Sequence, residues 1–386
     1  MTTALSRTLL LAEQLQELAR KLPLSSVVRL APKFAKLLVC LLFLLNIRSW
    51  PLVWHFRVFR PAFARRFQHK WVKITSLFKS PAEKVRVEAR WLESIAPIGQ
   101  HPFKMVVPYN TWASIDDSDF NGHLSNSSYA KTLDSARFKT AVDMFPMFFP
   151  TGGWMALAAT HYHFIREVPI LSSYEVRTSI AAWDQKWLYV MSKVVCKSKG
   201  KKRRDIEQKS ISPSDSISSQ IMALRTPGPE GINSTGVPSL SVTPKDQNTA
   251  AIDTENALNA VVAGLSGEEP DGATLHTIII SQICFKVGRI TVPPQLVLGV
   301  NGFTGAEGYS AASPHPQWAN ARKQMLKPYG GNVKKLKELF VGGWREVPEG
   351  ERWWDHALGE AVETQRLKNL VSIEGLRKGL EAARAI

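Results

Sequence analysis

Two aspartates, a glycine, a histidine, an asparagine and a tyrosine are crowded into one short stretch: Asp117, Asp119, Gly122, His123, Asn126 and Tyr129. Upstream, Tyr109, Thr111 and Trp112 are β-formers, so the lead-in reads as a strand. Asp116, Asp117, Ser118, Asp119, Asn121 and Gly122 are turn formers and stop that strand. Ser125 or Asn126 then suits the N-cap of a helix, where a side-chain oxygen accepts an amide of the first turn. A carboxylate beside a helix N-terminus can activate water or attack as a nucleophile. The free amides of that first turn point outward with partial positive charge, as an oxyanion requires. The same residues also make an ordinary turn, with Asp119 capping loop amides, His123 tying the loop down and Asn126 capping the helix. Both readings are open at this level.

The elements around the hinge must hold it. Tyr129, Leu133 and Ala136 repeat at helical spacing, and Phe138, Ala141, Val142 and Phe145 repeat on a displaced face. A helix with one solvent face needs only one apolar stripe. Two stripes predict a helix wrapped on several sides, with a sheet as the natural wrapper.

The spacing Asp117-x-Asp119-x-x-Gly122-His123-x-Ser125-Asn126-x-x-Tyr129 resembles the D-x-D-x-x-G-H-x-N-N-x-x-Y signature of hot-dog-fold thioesterases, the 4-hydroxybenzoyl-CoA thioesterase-like superfamily. Within that superfamily it is most similar to the membrane-anchored branch. The resemblance covers residues 100–200 and 274–300, and it departs from the pattern at Ser125, where the family has the first Asn of a pair.

It implies an α+β hot-dog fold, in which an antiparallel sheet curls around a long central helix. It further implies hydrolysis of long-chain acyl thioesters such as acyl-CoA, no metal or redox cofactor, and a homodimer with acyl sites between subunits. Asp119 matches a carboxylate that is catalytic in some family members, and Asp117 then reads as structural. His123 would orient Asp119 or meet the acyl group. Asn126 completes the candidate catalytic set, and amides around residues 125–128 would polarise the thioester carbonyl. Tyr129 would pack in the core. The replacement at Ser125 favours a second reading, an acyl-thioester-binding or scaffolding protein without turnover. A hot-dog dehydratase fits the D-x-x-G-H-x-N arrangement less well.

Other chemistries find little support. Cys40, Cys196 and Cys284 are widely spaced and form neither a disulfide framework nor a metal pattern. The histidines lack H-E-x-x-H spacing, and His161 and His163 read as strand residues sharing one face. Ser125, Ser127 and Ser128 lack the G-x-S-x-G elbow of a serine hydrolase. The formal net charge is +16, but no nucleic-acid-binding motif accompanies it, so no nucleic-acid partner is expected. Attraction to anionic lipid is the better account. Arg166, Lys286 and Arg289 are candidates for the phosphates of CoA.

The flanks divide the chain into four parts. Residues 1–60 carry an amphipathic helix, with Leu11, Leu15, Leu18 and Leu22 on one face, and then an apolar run. The uninterrupted run, residues 37–45, falls short of the roughly 20 residues a spanning helix needs. Extension to Phe59 takes in Arg48, His55 and Arg57, charges that are tolerable only near an interface. A membrane anchor, as a short span or an in-plane insertion, is expected, with Trp50 and Trp54 as an aromatic belt. Arg57, Arg60, Arg65 and Arg66 follow it, which predicts a cytosol-facing remainder, with the endoplasmic reticulum as one possible membrane. Residues 61–100 read as a helical connector, and residues 101–300 as the hot-dog domain.

Within that domain, strands are predicted at 158–168, 174–183, 187–196 and 275–287, with a polar, disordered insertion at 206–271. Residues 301–386 read as a linker, beginning at the Gly-rich stretch 299–317, and a helical C-terminal tail.

Overall fold

The computed structural model describes residues 24–197 and 269–382. The expected leucine-striped helix at 11–22 and most of the expected insertion lie outside these residues. The chain divides by contacts into two units, Met1–Val195 with His276–Ile386, and Cys196–Leu275. In the described part of the second unit, a turn at 269–273 closes with the Glu269 amide donating to the Ala273 carbonyl at 2.8 Å.

The first unit opens with helices α1 (Leu24–Leu45), α2 (Val53–Thr75) and α3 (Pro81–Ile95). A capping box starts α3: Ser80 accepts the Glu83 amide, and the Glu83 carboxylate accepts the Ser80 amide. Strand β1 (Val106–Trp112) leads into the hinge, and helix α4 (Asn126–Met144) leaves it. Strands β2 (Gly153–Phe164), β3 (Ser173–Trp183), β4 (Leu188–Lys197), β5 (Ala273–Val287) and β6 (Ile290–Val292) follow.

The sheet runs β1-β3-β4-β5-β2, with β6 paired to β5. The pairs β1–β3, β3–β4, β2–β5 and β5–β6 are antiparallel. Pro108 sits in the edge strand β1, where a missing amide is tolerated. Irregularities between Leu157 and Ala159 and between Ile180 and Ala182 act as bulges, which sharpen the twist of a sheet. Strand, long helix, then further strands in one antiparallel sheet is the α+β arrangement of a hot-dog fold.

Helix α4 buries both expected stripes, through Tyr129, Leu133, Ala136, Ala141 and Val142. The sheet covers one side, where Thr132 and the Tyr174 hydroxyl on β3 meet at 3.0 Å. The other cover is a helix, which the stripes alone could not specify. Phe59 of α2 packs edge-on against Phe138 at 5.3 Å, and Arg65 of α2 pairs with Asp143 at 3.1 Å.

A break at 46–52 separates α1 from α2, and Leu52 there takes a left-handed conformation with φ 68°, so extending the apolar run to Phe59 does not lengthen one helix. Among the described residues no helix is long and apolar enough to cross a membrane. The apolar side chains of α1 are nevertheless exposed, Phe34 at 64% and Leu37 at 65%.

In the Gly-rich stretch 299–317, expected as a linker, the first residues are packed against the fold, whereas most of 306–317 is exposed. Asn301, Phe303 and Thr304 are buried, and the Gly99 amide donates to the Gly302 carbonyl at 2.9 Å. Its glycines permit close backbone approach, where composition alone suggests looseness. Helix α5 (Pro294–Val300) leads into this stretch, and helices α6 (Trp318–Met325), α7 (Val333–Val341) and α8 (Trp353–Ala382) follow it. Their Leu296, Trp318, Phe340 and Leu358 share one apolar core with Phe145, Phe148 and Phe285. Arg366 and Asn369 of α8 also donate to the carbonyls of Trp183 and Ala181 on β3. Burying so many large apolar side chains together is the dominant favourable contribution to such a fold.

Candidate active site

The hinge between β1 and α4 is stitched to the loop after β2. The Leu124 amide donates to the Val168 carbonyl at 2.8 Å, and the Ile170 amide to the Gly122 carbonyl at 2.8 Å. Gly122 sits at φ 76°, a conformation other residues adopt only with strain. Asp119 closes the tip of the loop. Its amide donates to the His123 carbonyl at 2.8 Å, and its Oδ1 accepts the amides of Asn121 at 3.0 Å and His123 at 3.3 Å. Asp119 is exposed, and its Oδ2 has no protein partner among the described residues.

Asp117, two residues earlier, is buried at 2% exposure. Its Oδ1 takes the Lys131 ammonium at 2.9 Å. Its Oδ2 takes the Ser114 hydroxyl at 2.8 Å and faces Arg48 Nε at 3.3 Å. Burial alone would raise the carboxyl pKa, but the hydrogen bonds from Lys131 and Ser114 and the charges of Arg48 and Lys131 hold it below the usual value. Asp117 is therefore a structural anion, as expected of the first aspartate.

Arg48 comes from the break between α1 and α2. Its Nη1 donates to the Trp112 carbonyl, and its Nη2 to Thr111 Oγ1 at 3.0 Å. The guanidinium also lies 5.3 Å from the centre of the Trp112 ring. Its neighbour Ser49 donates to Asp116. Burial, with the charge of Arg57 adding to it, lowers the pKa of Arg48. By sequence alone Arg48 reads as a lipid-interface charge, and nothing singles out Lys131. An arginine and an aspartate 69 positions apart leave no spacing signal. The only available hint was the excess of acid at Asp116 and Asp117.

The N-cap position belongs to Ser125, and Asn126 is the first helical residue. Asn126 therefore lies inside the first turn of α4 and does not cap it; its side chain is exposed. The Ser125 hydroxyl does not cap either, since it lies 3.0 Å from the hydroxyls of both Ser127 and Ser128. The Ser125 amide is used by the Asp117 carbonyl at 3.0 Å, and the Ser128 amide by the Ser125 carbonyl at 2.9 Å. The amides of Asn126 and Ser127 have no acceptor among the described residues. They are the first-turn donors that an oxyanion would find.

His123 is half-buried, with Nδ1 2.9 Å from Glu167 Oε2 but not aligned as a hydrogen bond. It shares the loop with Asp119 through backbone contacts, and no bond joins its ring to the Asp119 carboxylate among the described residues. Tyr129 is buried and packs edge-on against Phe164 at 5.1 Å. The three candidate phosphate binders do not come together. Arg166 follows β2 near the hinge, its amide donating to the His276 carbonyl at 2.9 Å. Lys286 and Arg289 lie at the opposite end of β5, ten strand residues or about 30 Å away. Lys286 is also engaged by Thr291 at 2.6 Å.

Further along α4 lies a cleft of about 490 Å³ between α2, α4 and β2. Trp54, Val58, Phe138, Trp154 and Leu157 give it apolar walls, and Arg137 gives a polar edge. Arg137 is held by Asp134 at 2.6 Å and by Thr160 at 3.1 Å. Positions 127, 131, 134, 138 and 141 recur at helical spacing, so the free Ser127 amide, the Lys131 ion pair and the cleft lie along one side of α4. Among the described residues no group of three or more His, Cys, Asp or Glu side chains is placed to hold a metal ion.

Residues 113–212 match the family described as the thioesterase-like superfamily. The chain is 25% identical over 198 residues to the thioesterase lcsJ of Purpureocillium lilacinum, a match covering 45% of this chain and 63% of that protein. It is 32% identical over 91 residues to a probable thioesterase of Saccharomyces cerevisiae, covering 23% of this chain and 40% of that one. It is 32% identical over 88 residues to the protein THEM6 of Danio rerio, covering 22% and 44%. The chain thus spans about half the length of the curated relatives it matches. Among solved structures, the dynemicin thioesterase aligns at 12% identity over 50% of this chain and 95% of its own, with a TM-score of 0.28. The match at 113–212 holds the hinge, α4 and strands β2 to β4, so the part of the chain that is similar to the thioesterase-like superfamily is the part whose hinge spacing carries the resemblance.

Proposed function

We propose that this protein hydrolyses acyl thioesters of the acyl-CoA class at the β1–α4 hinge. One juxtaposition carries the reading: the exposed Asp119 carboxylate closes a loop that ends, a few residues on, in the two free amides of Asn126 and Ser127. A thioester carbonyl received by those amides would build its negative charge at the positive end of α4. Asp119 Oδ2 serves either as general base, taking a proton from the water that attacks the carbonyl carbon, or as nucleophile, forming an acyl anhydride that water then opens. In both routes the C–S bond breaks, and the CoA thiolate leaves and takes up a proton. His123 steadies the loop through its amide, and Asn126 contributes through its backbone. The acyl chain runs along α4 into the apolar cleft. From Ser127 to Phe138 the helix rises about 16 Å, a length that suits a long chain.

The protein works at a membrane surface, with the apolar faces of α1 and α2 lying in the plane of the interface and the module facing the cytosol. The exposed Phe34, Leu38, Leu42, Phe63 and Phe67, with the exposed Arg60, Arg66, Lys70 and Lys73, support this reading. A homodimer is the assembly that the family resemblance favours, and β2, the other edge of the sheet, offers unpaired backbone and the exposed Trp154 and Leu157.

A second reading, acyl-thioester binding without turnover, is favoured by one observation: Asp119 Oδ1 is already occupied by two loop amides. Free-thiol release from a series of acyl-CoAs, measured on the full chain and on Asp119→Asn, decides between them. Hydrolysis predicts release by the parent chain and a loss of about 10²–10⁴ in rate in the variant, the usual worth of acid–base help. An asparagine oxygen still accepts the loop amides, so the fold is expected to persist. Thermal stabilisation by acyl-CoA with no thiol release would establish the binding reading instead.

A further inference from the structure

Arg48 belongs to the N-terminal helices by sequence and to the hinge by contact. It reaches the carbonyl of Trp112, the hydroxyl of Thr111 and the carboxylate of Asp117, all from a short turn between two helices whose outer faces are apolar and exposed. Asp117 in turn holds Lys131 of α4, and its carbonyl accepts the Ser125 amide. One guanidinium therefore fixes the end of β1, the aspartate before the candidate base, and the start of the helix that presents the free amides.

A second arginine opposes it. Arg57 of α2 places both terminal guanidinium nitrogens out of solvent, and neither has a partner among the described residues. A buried, unpaired cation is costly, and its charge also acts against that of Arg48. Docking of α2 on α4 thus sets a strong favourable contact against an unfavourable one only nine residues away.

We propose that Arg48 is the positioning residue of the hinge, through which docking of the N-terminal helices sets the geometry of Asp119 and the Asn126 and Ser127 amides, with Arg57 as the opposing group. The N-terminal segment is then part of the site as well as a surface anchor. This rests on the thioesterase reading for its kinetic readout and on local backbone protection for its independent one.

The experiment uses the full chain with Arg48→Gln, Arg48→Lys and Arg57→Met. It measures acyl-CoA turnover and hydrogen exchange of amides 113–128, with β3 and β4 amides as the control. Arg48→Gln should lower kcat tenfold or more with KM within twofold. Its hinge amides should exchange at least tenfold faster while those of β3 and β4 hold. Arg48→Lys should recover part of both. Arg57→Met should slow hinge exchange severalfold, the opposite sign.

Parental kcat and hinge exchange in Arg48→Gln would overturn the proposal, as would equal loosening of hinge and control strands in both Arg48 variants. If the parent chain releases no thiol from any acyl-CoA, the hydrolysis reading fails, and the exchange arms still decide the role of Arg48.

Discussion

Arg48 Nε and Asp117 Oδ2 lie 3.3 Å apart with both side chains almost fully removed from water, although 69 positions separate them in the chain. Two buried charges of opposite sign are stable only as a pair, because each leaves the other's desolvation uncompensated when removed. Here Lys131 and Ser114 complete the shell of the carboxylate, and main-chain and hydroxyl oxygens complete that of the guanidinium.

Asp117→Asn tests that pairing. The substitution keeps shape but leaves Arg48 and Lys131 facing a neutral amide, and the expected loss is about 3–5 kcal/mol at neutral pH. The pH dependence has a definite sign. The folded carboxyl pKa is lowered below its ordinary value near 3.8, so the unfolded chain binds the proton more readily. The stabilisation is present above that ordinary value and is lost as pH falls through the folded one. Urea unfolding of the two proteins should differ most near pH 7, and the difference should shrink as pH falls below the ordinary carboxyl value near 3.8. A constant difference across that range would show that charge is not the cause.

Tyr174→Phe tests how α4 is held to the sheet. The phenol is buried and shares a hydrogen bond with Thr132 at 3.0 Å, and burial pushes its pKa up to about 12. Loss of the hydroxyl leaves Thr132 in an apolar site, for an expected cost of about 1–2 kcal/mol. The double variant Tyr174→Phe with Thr132→Val should recover part of that cost, because both partners are then apolar. Additive losses in the cycle would mean that the two groups do not interact.

Asp355→Asn is expected to stabilise the protein. Burial pushes the carboxyl of Asp355, at the start of α8, up to about 6, with Arg352 and His356 only partly offsetting it. The folded chain therefore holds this proton more tightly than the unfolded one. Stability is favoured below the ordinary value near 3.8 and falls as pH rises toward 6. At pH 7.5 the variant should gain about 1–2 kcal/mol, less than the full shift would give because the side chain is only partly buried. At pH 3.5 the gain should vanish. Chemical unfolding at the two values checks it, and an equal gain at both would point to packing in place of charge.

The hinge and its helix were legible in the sequence because their causes are local. Turn formers from Asp116 to Gly122 stop β1, and alternating apolar residues mark the strands. The doubled stripe of α4 records burial on two sides, and the fixed offsets from Asp117 to Tyr129 carry the family resemblance. Three things were decided only by tertiary structure. The second cover of α4 is α2, since a stripe records that a face is buried and not what buries it. The start of the stretch 299–317 is packed, since glycine gives the same composition to a loose linker and to a close crossing of chains. Arg48 closes on Asp117, since pairing of charges across 69 residues depends on the path of the chain between them, and no local spacing encodes that path.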